Sequence, residues 1–219
     1  MRRDIEAAAY SAGRSPGEIR LLAAIKYTTP EQVARLKDCG ITLVGENRVQ
    51  QLLDHEKAPG LEGFEVHFIG KLQCNKAKYT VGRVSLVESL DSLRLAEELD
   101  RCSERAGKIT DVLCEINSGR EENKSGVLPE EAAEFCASLA GFRSLRLRGF
   151  MTMAPICEKK ADYRKYFEET YRTALDIWEK TLHNIGKPLL SMGMSDSFAE
   201  AIAEGADIVR VGRALFAEE

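Results

Sequence analysis

LLAAIKYTTP, residues 21–30, runs from five apolar residues into a single lysine and then into Tyr-Thr-Thr-Pro. An uninterrupted apolar run of this length is typical of a strand that is buried on both faces, as strands of parallel sheets are. Thr28, Thr29 and Pro30 predict that a turn and the start of a helix follow the strand. Lys26 would then lie where the strand leaves the core, either as a lysine that extends its amine to solvent or as a chemically active amine.

Seven further runs with the character of strands follow along the chain, at 42–45, 66–70, 84–88, 112–117, 146–150, 189–192 and 208–211. The gaps between them are long enough for a crossover helix, which parallel neighbours require. Eight such units predict an α/β fold, a single (β/α)8 TIM barrel. A doubly wound open sheet is the alternative, but no GxGxxG fingerprint follows the first strand, and this favours the barrel.

Two of the intervening segments carry clear helical patterns. Residues 160–183 repeat aromatic and aliphatic residues at a spacing of three or four, which predicts a helix packed on the core. Ser197 and Glu200 match a capping box, and Gly205 matches a helix stop, so a short helix is predicted over 198–204.

The composition excludes several classes of protein. The 219 residues include 31 basic and 35 acidic ones, a net charge of −4, with no basic stripe for nucleic acid. No apolar stretch approaches the roughly 20 residues of a membrane span, and MRRDIEAAAY lacks the apolar region of a signal peptide. We therefore expect residues 1–219 to form one cytoplasmic domain, with neither nucleic acid nor a membrane as partner. The six cysteines and three histidines are scattered, without CxxC or HExxH spacing, so we expect no metal site.

Polar residues follow several of the predicted strands, at the end of the barrel where chemistry takes place in this fold. They are Lys26 after the first strand, Glu46 and Asn47 after the second, Lys71 and Lys76 after the third, Asn117 after the fifth and Ser195 after the seventh. The chemical residues are thus expected on one rim of one barrel.

The last two strands carry the clearest local pattern. GMSDS, residues 193–197, is a glycine-containing turn that leads into a helix, where unpaired backbone N–H groups can hold an anion. The eighth strand then delivers Arg210, Gly212 and Arg213, and phosphate sites in this fold often lie after strands seven and eight. Alternation places Arg210 and Lys26 on inward faces of neighbouring strands. An amine, a guanidinium and an anion seat together favour a phosphorylated aldehyde as ligand.

Several motifs then carry a resemblance to a known family: LLAAIK, VGENRVQ, HFIGKLQCNK, INSGREENKSG, LRGFMTMAP, SMGMSDSFAEAIAEGADIVRVG and RALF. In this order they closely resemble the pyridoxal phosphate homeostasis proteins, from about residue 11 to the end of the chain. The resemblance implies the barrel of fold-type III pyridoxal phosphate (PLP) enzymes, such as the N-terminal domain of alanine racemase, without the second β domain. It also implies that PLP is the ligand.

The resemblance implies roles for individual residues. Lys26 is similar to the family lysine that forms the internal aldimine with PLP. Arg210 is similar to the arginine that faces the pyridine nitrogen, and Asn47 lies where the family lines the cofactor pocket.

The resemblance also implies a phosphate cup. Ser195 is similar to its serine, with backbone around Met194 and at Gly212 and Arg213 as the remaining parts.

The expected function is a carrier or buffer in intracellular PLP homeostasis, with PLP-dependent apo-enzymes as candidate recipients. Robust amino-acid catalysis is not expected, because a guanidinium at the ring nitrogen weakens the electron sink that such catalysis needs. A racemase-like PLP enzyme, a Schiff-base aldolase for sugar phosphates, and a purely structural protein remain alternatives. Lys124 in ENKSG (122–126) and Lys76 are either helpers in PLP transfer or ordinary solvated lysines.

Overall fold

The protein is described here by a computed structural model that covers residues 1–57, 60–181 and 186–216. Within these ranges, eight strands form one closed, all-parallel barrel in the order β1 to β8. Their bounds are β1 Arg20–Ala24, β2 Leu43–Glu46, β3 Glu65–Phe68, β4 Leu86–Leu90, β5 Thr110–Ile116, β6 Leu145–Thr152, β7 Leu189–Ser191 and β8 Ile208–Val211. β1 pairs with both β2 and β8, which closes the barrel. The predicted (β/α)8 barrel is confirmed, and every predicted strand overlaps an observed one.

Helices lie between the strands and cover the barrel. Over the described residues they are α1 Arg2–Ser11, α2 Pro30–Arg35, α3 Val49–Lys57, α4 Leu93–Arg105, α5 Ala132–Leu139, α6 Arg164–Thr181, α7 Phe198–Ala203 and α8 Arg213–Phe216. Short 3₁₀ helices occupy Pro16–Glu18, Cys74–Tyr79 and Lys160–Tyr163. In the part of the chain that is described, no helix combines the length and the apolar character that crossing a bilayer requires.

The start of α2 is as predicted from the sequence. Thr29 Oγ1 accepts the Gln32 N–H at 3.3 Å, and the Gln32 side chain accepts the Thr29 N–H at 2.9 Å. Pro30 takes the first helical position, where its missing N–H is not needed. This reciprocal cap fixes where the chain enters α2 after it leaves β1.

The aromatic pattern predicted over 160–183 packs on the core as expected. A 3₁₀ turn leads into α6, and the rings of Tyr163 and Phe167 stack with their centroids 6.3 Å apart. Trp178 packs against the same core from a partly buried position. The last two predicted positions, 182 and 183, lie outside the described residues.

The capping box predicted at Ser197 and Glu200 is wrong. The Ser197 hydroxyl does not cap α7 and instead accepts the Met194 N–H at 3.1 Å. The hydroxyl therefore closes the turn that precedes the helix. The helix stop is confirmed, because Gly205 follows α7 with φ +96° and the Gly205 N–H donates to Ile202 O at 3.1 Å.

The interior of the barrel contains polar groups as well as apolar ones. Its apolar clusters consist of Leu22, Ala24, Leu43, Ile69 and Ile208, and of Leu86, Leu113 and Met151. Ser191 of β7 donates to Glu88 of β4 at 2.5 Å, and because these strands are not neighbours the bond crosses the interior. Barrels of this type are usually filled with branched apolar residues, so the polar crossing distinguishes this barrel.

Candidate functional site

Lys26 lies in a tight turn at the carboxyl end of β1, and it is exposed. The strand ends at Ala24, two residues before the predicted end, although the Ile25 N–H still donates to Gly45 O at 3.0 Å. Thr28 Oγ1 then donates to Ile25 O at 2.7 Å, and Tyr27 adopts φ +64°. A left-handed conformation costs a non-glycine residue about 1–2 kcal/mol, so the turn that presents Lys26 is strained.

A buried pair behind the barrel wall holds this turn in place. The His55 ring contacts Thr28 O through Nε2 at 3.2 Å and Glu46 Oε1 through Nδ1 at 2.5 Å. Glu46 is fully buried at the end of β2, and this burial raises the pKa of its carboxyl although the hydrogen bond with His55 acts against it. Contacts from α3 and β2 therefore hold the turn in which Tyr27 has its strained conformation.

Lys26 and Gly212 line the same cavity of about 410 Å³, together with Ala24, Tyr27, Thr28, Gln32 and Phe216. The pairing of β1 with β8 brings them together, since Ala23 lies opposite Val211. A Cβ atom added to Gly212 would lie 3.4 Å from Ala24 O, an ordinary contact. The protein itself therefore does not require glycine there, whereas a ligand that approaches the backbone would.

The turn after β7 lies beside the end of β8. Gly193 O accepts the Arg210 N–H at 3.0 Å, and Gly193 has φ +89°, with Ala201 too close to admit a Cβ atom. The Met194 amide is engaged by Ser197 within the turn. Ser195 is partly exposed, and within the described residues neither its N–H nor its hydroxyl has a protein partner. Ser195 thus retains two free polar groups.

Arg213 begins α8 directly after Gly212. Only the backbone of Arg213 is described, and its place in the phosphate cup stays a prediction.

Arg210 lies below the rim, with 4 % of its surface exposed. One terminal nitrogen donates to Ser191 Oγ at 2.7 Å, and the other donates to Thr152 O at 2.7 Å. Its NH1 atom is 4.0 Å from Glu88 Oε2, which accepts from the same serine. Neither of the two hydrogen bonds uses Nε. Three strands other than its own therefore fix the orientation of the guanidinium.

Charged groups continue from Arg210 towards the base of the barrel. His67 Nδ1 lies 2.6 Å from Glu88 Oε1, and its Nε2 lies 3.0 Å from Glu65 Oε1. Glu65 in turn pairs with Arg20 at 2.6 Å. We refer to Arg20, Glu65, His67, Glu88, Ser191 and Arg210 as the interior polar network. Basic groups alternate with carboxyl groups along it.

The alternation changes the acidity of the members. Burial disfavours the charged imidazole of His67, but hydrogen bonds with Glu65 and Glu88 outweigh it and raise the pKa of His67. Burial would raise the pKa of Glu88, but the hydrogen bond from His67 and the charge of Arg210 lower it. The hydrogen bond with His67 lowers the pKa of Glu65 to about 2. The pKa directions of both glutamates correspond to carboxylates at neutral pH.

Glu115, on β5, faces the same region without a place in the network. Burial raises the pKa of Glu115 to about 7, the charge of Asp91 adds to this, and Arg210 and Lys71 oppose it. A carboxyl group that titrates near neutrality therefore lies within electrostatic range of Arg210.

The other predicted residues follow the carboxyl ends of β2, β3, β5 and β7. Asn47 follows β2, and its Oδ1 is buried without a hydrogen-bond partner. Lys124 and Met194 line a second cavity of about 390 Å³. Lys76 is exposed on the 3₁₀ helix after β3, as is Lys71 just before it. Lys26 and Lys124 thus line separate cavities.

Sequence reasoning missed the interior polar network apart from Arg210. His67 opens the HFIGKLQCNK motif but was given no role, and Glu88 belongs to none of the quoted motifs. A usable signal was present, since both are ionisable residues inside runs that were predicted to be buried strands.

Comparisons with known proteins identify relatives of this chain. Residues 14–219 match the family described as alanine racemase, N-terminal domain. The pyridoxal phosphate homeostasis protein of Aquifex aeolicus (strain VF5) is 40 % identical over 214 residues, which are 98 % of this chain and 93 % of that protein. That of Escherichia coli (strain K12) is 36 % identical over 222 residues, covering 99 % and 92 % of the two chains. The solved structure of PipY from Synechococcus elongatus PCC7942 with PLP bound is 28 % identical, with a TM-score of 0.84 and coverage of 97 % and 99 %.

Proposed function

Because this chain belongs to the family of pyridoxal phosphate homeostasis proteins, we propose that it binds PLP at the rim of the barrel and acts in PLP homeostasis. It would hold PLP on Lys26 and release it, as a carrier or buffer. The observation that carries the proposal is the cavity that Lys26 shares with Gly212, on two neighbouring strands, directly beyond the buried Arg210.

The residues at this rim suit the functional groups of PLP. The aldehyde requires an amine, which Lys26 supplies from an exposed position. The phosphate requires N–H and O–H donors, and Ser195 retains both. Gly212 leaves room for close approach to the backbone, and the cavity of about 410 Å³ is within the usual range for small ligands, roughly 300–1,000 Å³.

The residues of the candidate site have separate roles in this proposal. PLP, when bound, supplies an aldehyde that reacts with amines and a ring that withdraws electrons. Lys26 is the point of covalent attachment, and Arg210 orients the ring by facing its nitrogen. Ser195, with the backbone at Gly212 and Arg213, holds the phosphate, and the predicted part of Met194 is reduced to fixing the turn, because its N–H is already donated to Ser197 Oγ.

Asn47 completes the pocket in this proposal. Its buried and unpartnered Oδ1 is the supporting observation. An amide oxygen without a donor is costly inside a protein, so a ligand or water that donates to it is favoured there.

The test is an absorption spectrum of purified protein with PLP, followed by borohydride reduction and peptide mapping. We expect equimolar binding, visible absorbance and a pyridoxyl label on Lys26. Lys26→Ala should lose the label, whereas the control Lys180→Ala, at an exposed lysine near the end of α6, should keep it. A label on another lysine in the wild type would contradict the assignment.

We extend the proposal to transfer of PLP, with Lys124 as a helper at the second cavity. Lys124 is exposed there beside Met194, which belongs to the turn that precedes α7. In an assay that follows reactivation of a PLP-dependent apo-enzyme, Lys124→Ala should slow the transfer several-fold. Lys76→Ala tests the weaker candidate in the same assay. Unchanged transfer rates in both variants would indicate that Lys124 and Lys76 are ordinary surface lysines.

Catalysis of amino-acid chemistry is not part of the proposal. Arg210 is always charged and is held by Ser191 and Thr152, so it disfavours a proton on the ring nitrogen. Rapid racemisation of an amino acid by the purified protein would contradict a carrier and favour the racemase-like alternative. Binding of sugar phosphates without PLP absorbance would favour an aldolase.

The proposal treats residues 1–219 as one PLP-binding domain of the cytoplasm. All six cysteines are free thiols, as is typical of proteins in reducing compartments. A single cooperative unfolding transition and recovery in the cytosolic fraction are the expected results. Two separate transitions, or recovery outside the cytosol, would contradict this part.

A further inference from the structure

The interior polar network has a layout that the binding of PLP at the rim does not by itself require. Arg210 could be neutralised by any buried carboxylate, and packing could be provided by apolar residues, as is usual in this fold. Instead, Ser191 stands between Arg210 and Glu88 and makes a hydrogen bond with each, at 2.7 and 2.5 Å. Two ionic groups are thus joined through one hydroxyl.

Charge balance makes Glu88 the partner that matters for Arg210. A buried guanidinium requires a nearby negative charge, and Glu88 Oε2 is 4.0 Å from Arg210 NH1. The other inward carboxyl group near Arg210 is that of Glu115, which is only partly ionised at neutral pH because burial raises its pKa to about 7. Glu88 is therefore the constant counter-ion, and Glu115 a variable one.

The rest of the network keeps Glu88 ionised and in place. His67 holds one oxygen of Glu88 at 2.6 Å, and Ser191 holds the other. Glu65 holds the far side of the His67 ring at 3.0 Å and is itself paired with Arg20. Because arginine does not release its proton, the network cannot deliver a proton to the rim. What it can deliver is a fixed charge and a fixed orientation.

We infer that Glu88, acting through Ser191, is the positioning residue that orients Arg210 and sets how much positive charge the guanidinium presents to the ring of the bound cofactor. The inference rests on the proposed function, in which PLP lies against Arg210. It adds a role for two residues that do not touch the ligand. The charged and titratable groups that face Arg210 or its partners are Arg20, Glu65, His67, Glu88, Asp91, Glu115 and Lys71.

The variants Glu88→Gln and Ser191→Ala test the inference. Glu88→Gln removes the negative charge that faces Arg210, and Ser191→Ala removes the hydroxyl that joins the two residues. Both variants should still bind PLP with the label on Lys26. The measured quantity is the pH midpoint of the visible absorbance of bound PLP. A charge within about 4–6 Å shifts a pKa by roughly 1–3 units, and Glu88 acts through Arg210 from further away, so we expect this midpoint to shift by roughly 0.5–1 unit. The shift should be downward in Glu88→Gln, because uncompensated positive charge disfavours a proton on the ligand.

Ser191→Ala should shift the midpoint in the same direction by a smaller amount, and Ser191→Thr, which keeps the hydroxyl, should restore it. The matched control is Ser103→Ala. This variant also removes a fully buried serine hydroxyl, which is bonded to Thr110 Oγ1 at 2.6 Å. That hydrogen bond joins α4 to the start of β5. Loss of a buried hydrogen bond alone would move neither the midpoint nor the absorption maximum in that control.

The outcomes separate the inference from the proposed function. A wild type that fails to bind PLP on Lys26 overturns both. Normal labelling of Lys26 with an unchanged midpoint in Glu88→Gln and Ser191→Ala overturns the inference alone. If Glu88→Gln does not fold, the comparison of Ser191→Ala, Ser191→Thr and Ser103→Ala decides the matter, and equal midpoints in all three count against the inference.

Discussion

Replacing Arg210 by methionine should destabilise the protein even when no PLP is present. The substitution keeps most of the side-chain volume but removes two buried hydrogen bonds, to Ser191 and Thr152, and the charge that faces Glu88. Removing one partner of a buried ion pair typically costs about 3–5 kcal/mol. His67 still compensates Glu88 from the other side, so we expect the lower end of this range, about 3 kcal/mol.

The loss should depend on pH in a defined direction. In the wild type the folded-state pKa of Glu88 is lowered, so its ionised form contributes stability above the unfolded value of about 4.3. That contribution is lost as the pH falls through the folded value. Without Arg210, burial raises the folded-state pKa of Glu88. Protonation of Glu88 at low pH then removes the cost of its uncompensated buried charge and reduces the destabilisation of the variant. The difference from wild type should be largest at pH 7–8 and should narrow towards pH 5.

Urea unfolding of the apo-protein, followed by the fluorescence of Trp178, measures this difference. The protein has one tryptophan, and it packs against the core. For a chain of this size, about 3 kcal/mol corresponds to a fall in Tm of roughly 6–12 °C. Arg146→Met is the control, since Arg146 forms an exposed pair with Asp111 that is worth about 1 kcal/mol or less. A loss that is equal at pH 5 and pH 8 would refute the coupling between Arg210 and Glu88.

Two further predictions concern the backbone of the barrel and of the rim. Gly149→Ala should lower the free energy of unfolding by about 3 kcal/mol or more, because φ is +152° and a Cβ atom would lie 2.0 Å from Leu189 O. The control Gly107→Ala, with φ +62° and open space around it, should lower it by about 1 kcal/mol. Similar losses in the two variants, measured by urea unfolding, would contradict this. Ser197→Ala should cost about 1 kcal/mol and weaken PLP binding several-fold, since its hydroxyl closes the 193–197 turn. Glu200→Gln should change neither quantity, and an equal effect would reinstate the capping box.

The barrel was predictable because its signal is repeated eight times along the chain. Strands buried on both faces are apolar throughout, and each was separated from the next by a helical length, so small errors at any one boundary did not alter the topology. β1 ends at Ala24 rather than at Lys26. That error matters only locally, because the following turn still places Lys26 at the rim.

The site was predictable only where a residue stands at the end of a strand or in a glycine turn. Lys26 and Gly212 were predicted in this way and line one cavity, and their binding roles stay predictions. The interaction of Ser191 with Glu88 was not predictable, because it joins β7 to β4 across the barrel and depends on the closed topology. Ser197 shows the opposite error, since a local motif matched the sequence while the hydroxyl took a different partner. Short motifs do not record which of several nearby donors is closer.

The pairing of the first strand with the last has a consequence for how the protein becomes competent during its synthesis. Residues Arg20 to Ala23 of β1 pair with Ile208 to Val211 of β8, and this seam brings Lys26 and Gly212 together. On the ribosome, β1 emerges early and can pair with β2 soon afterwards, but nearly the whole polypeptide must be made before β8, its other neighbour, exists. Under the proposed function, a nascent or truncated polypeptide without β8 would lack the seam that joins Lys26 to Gly212 and should not retain the vitamin B6 aldehyde.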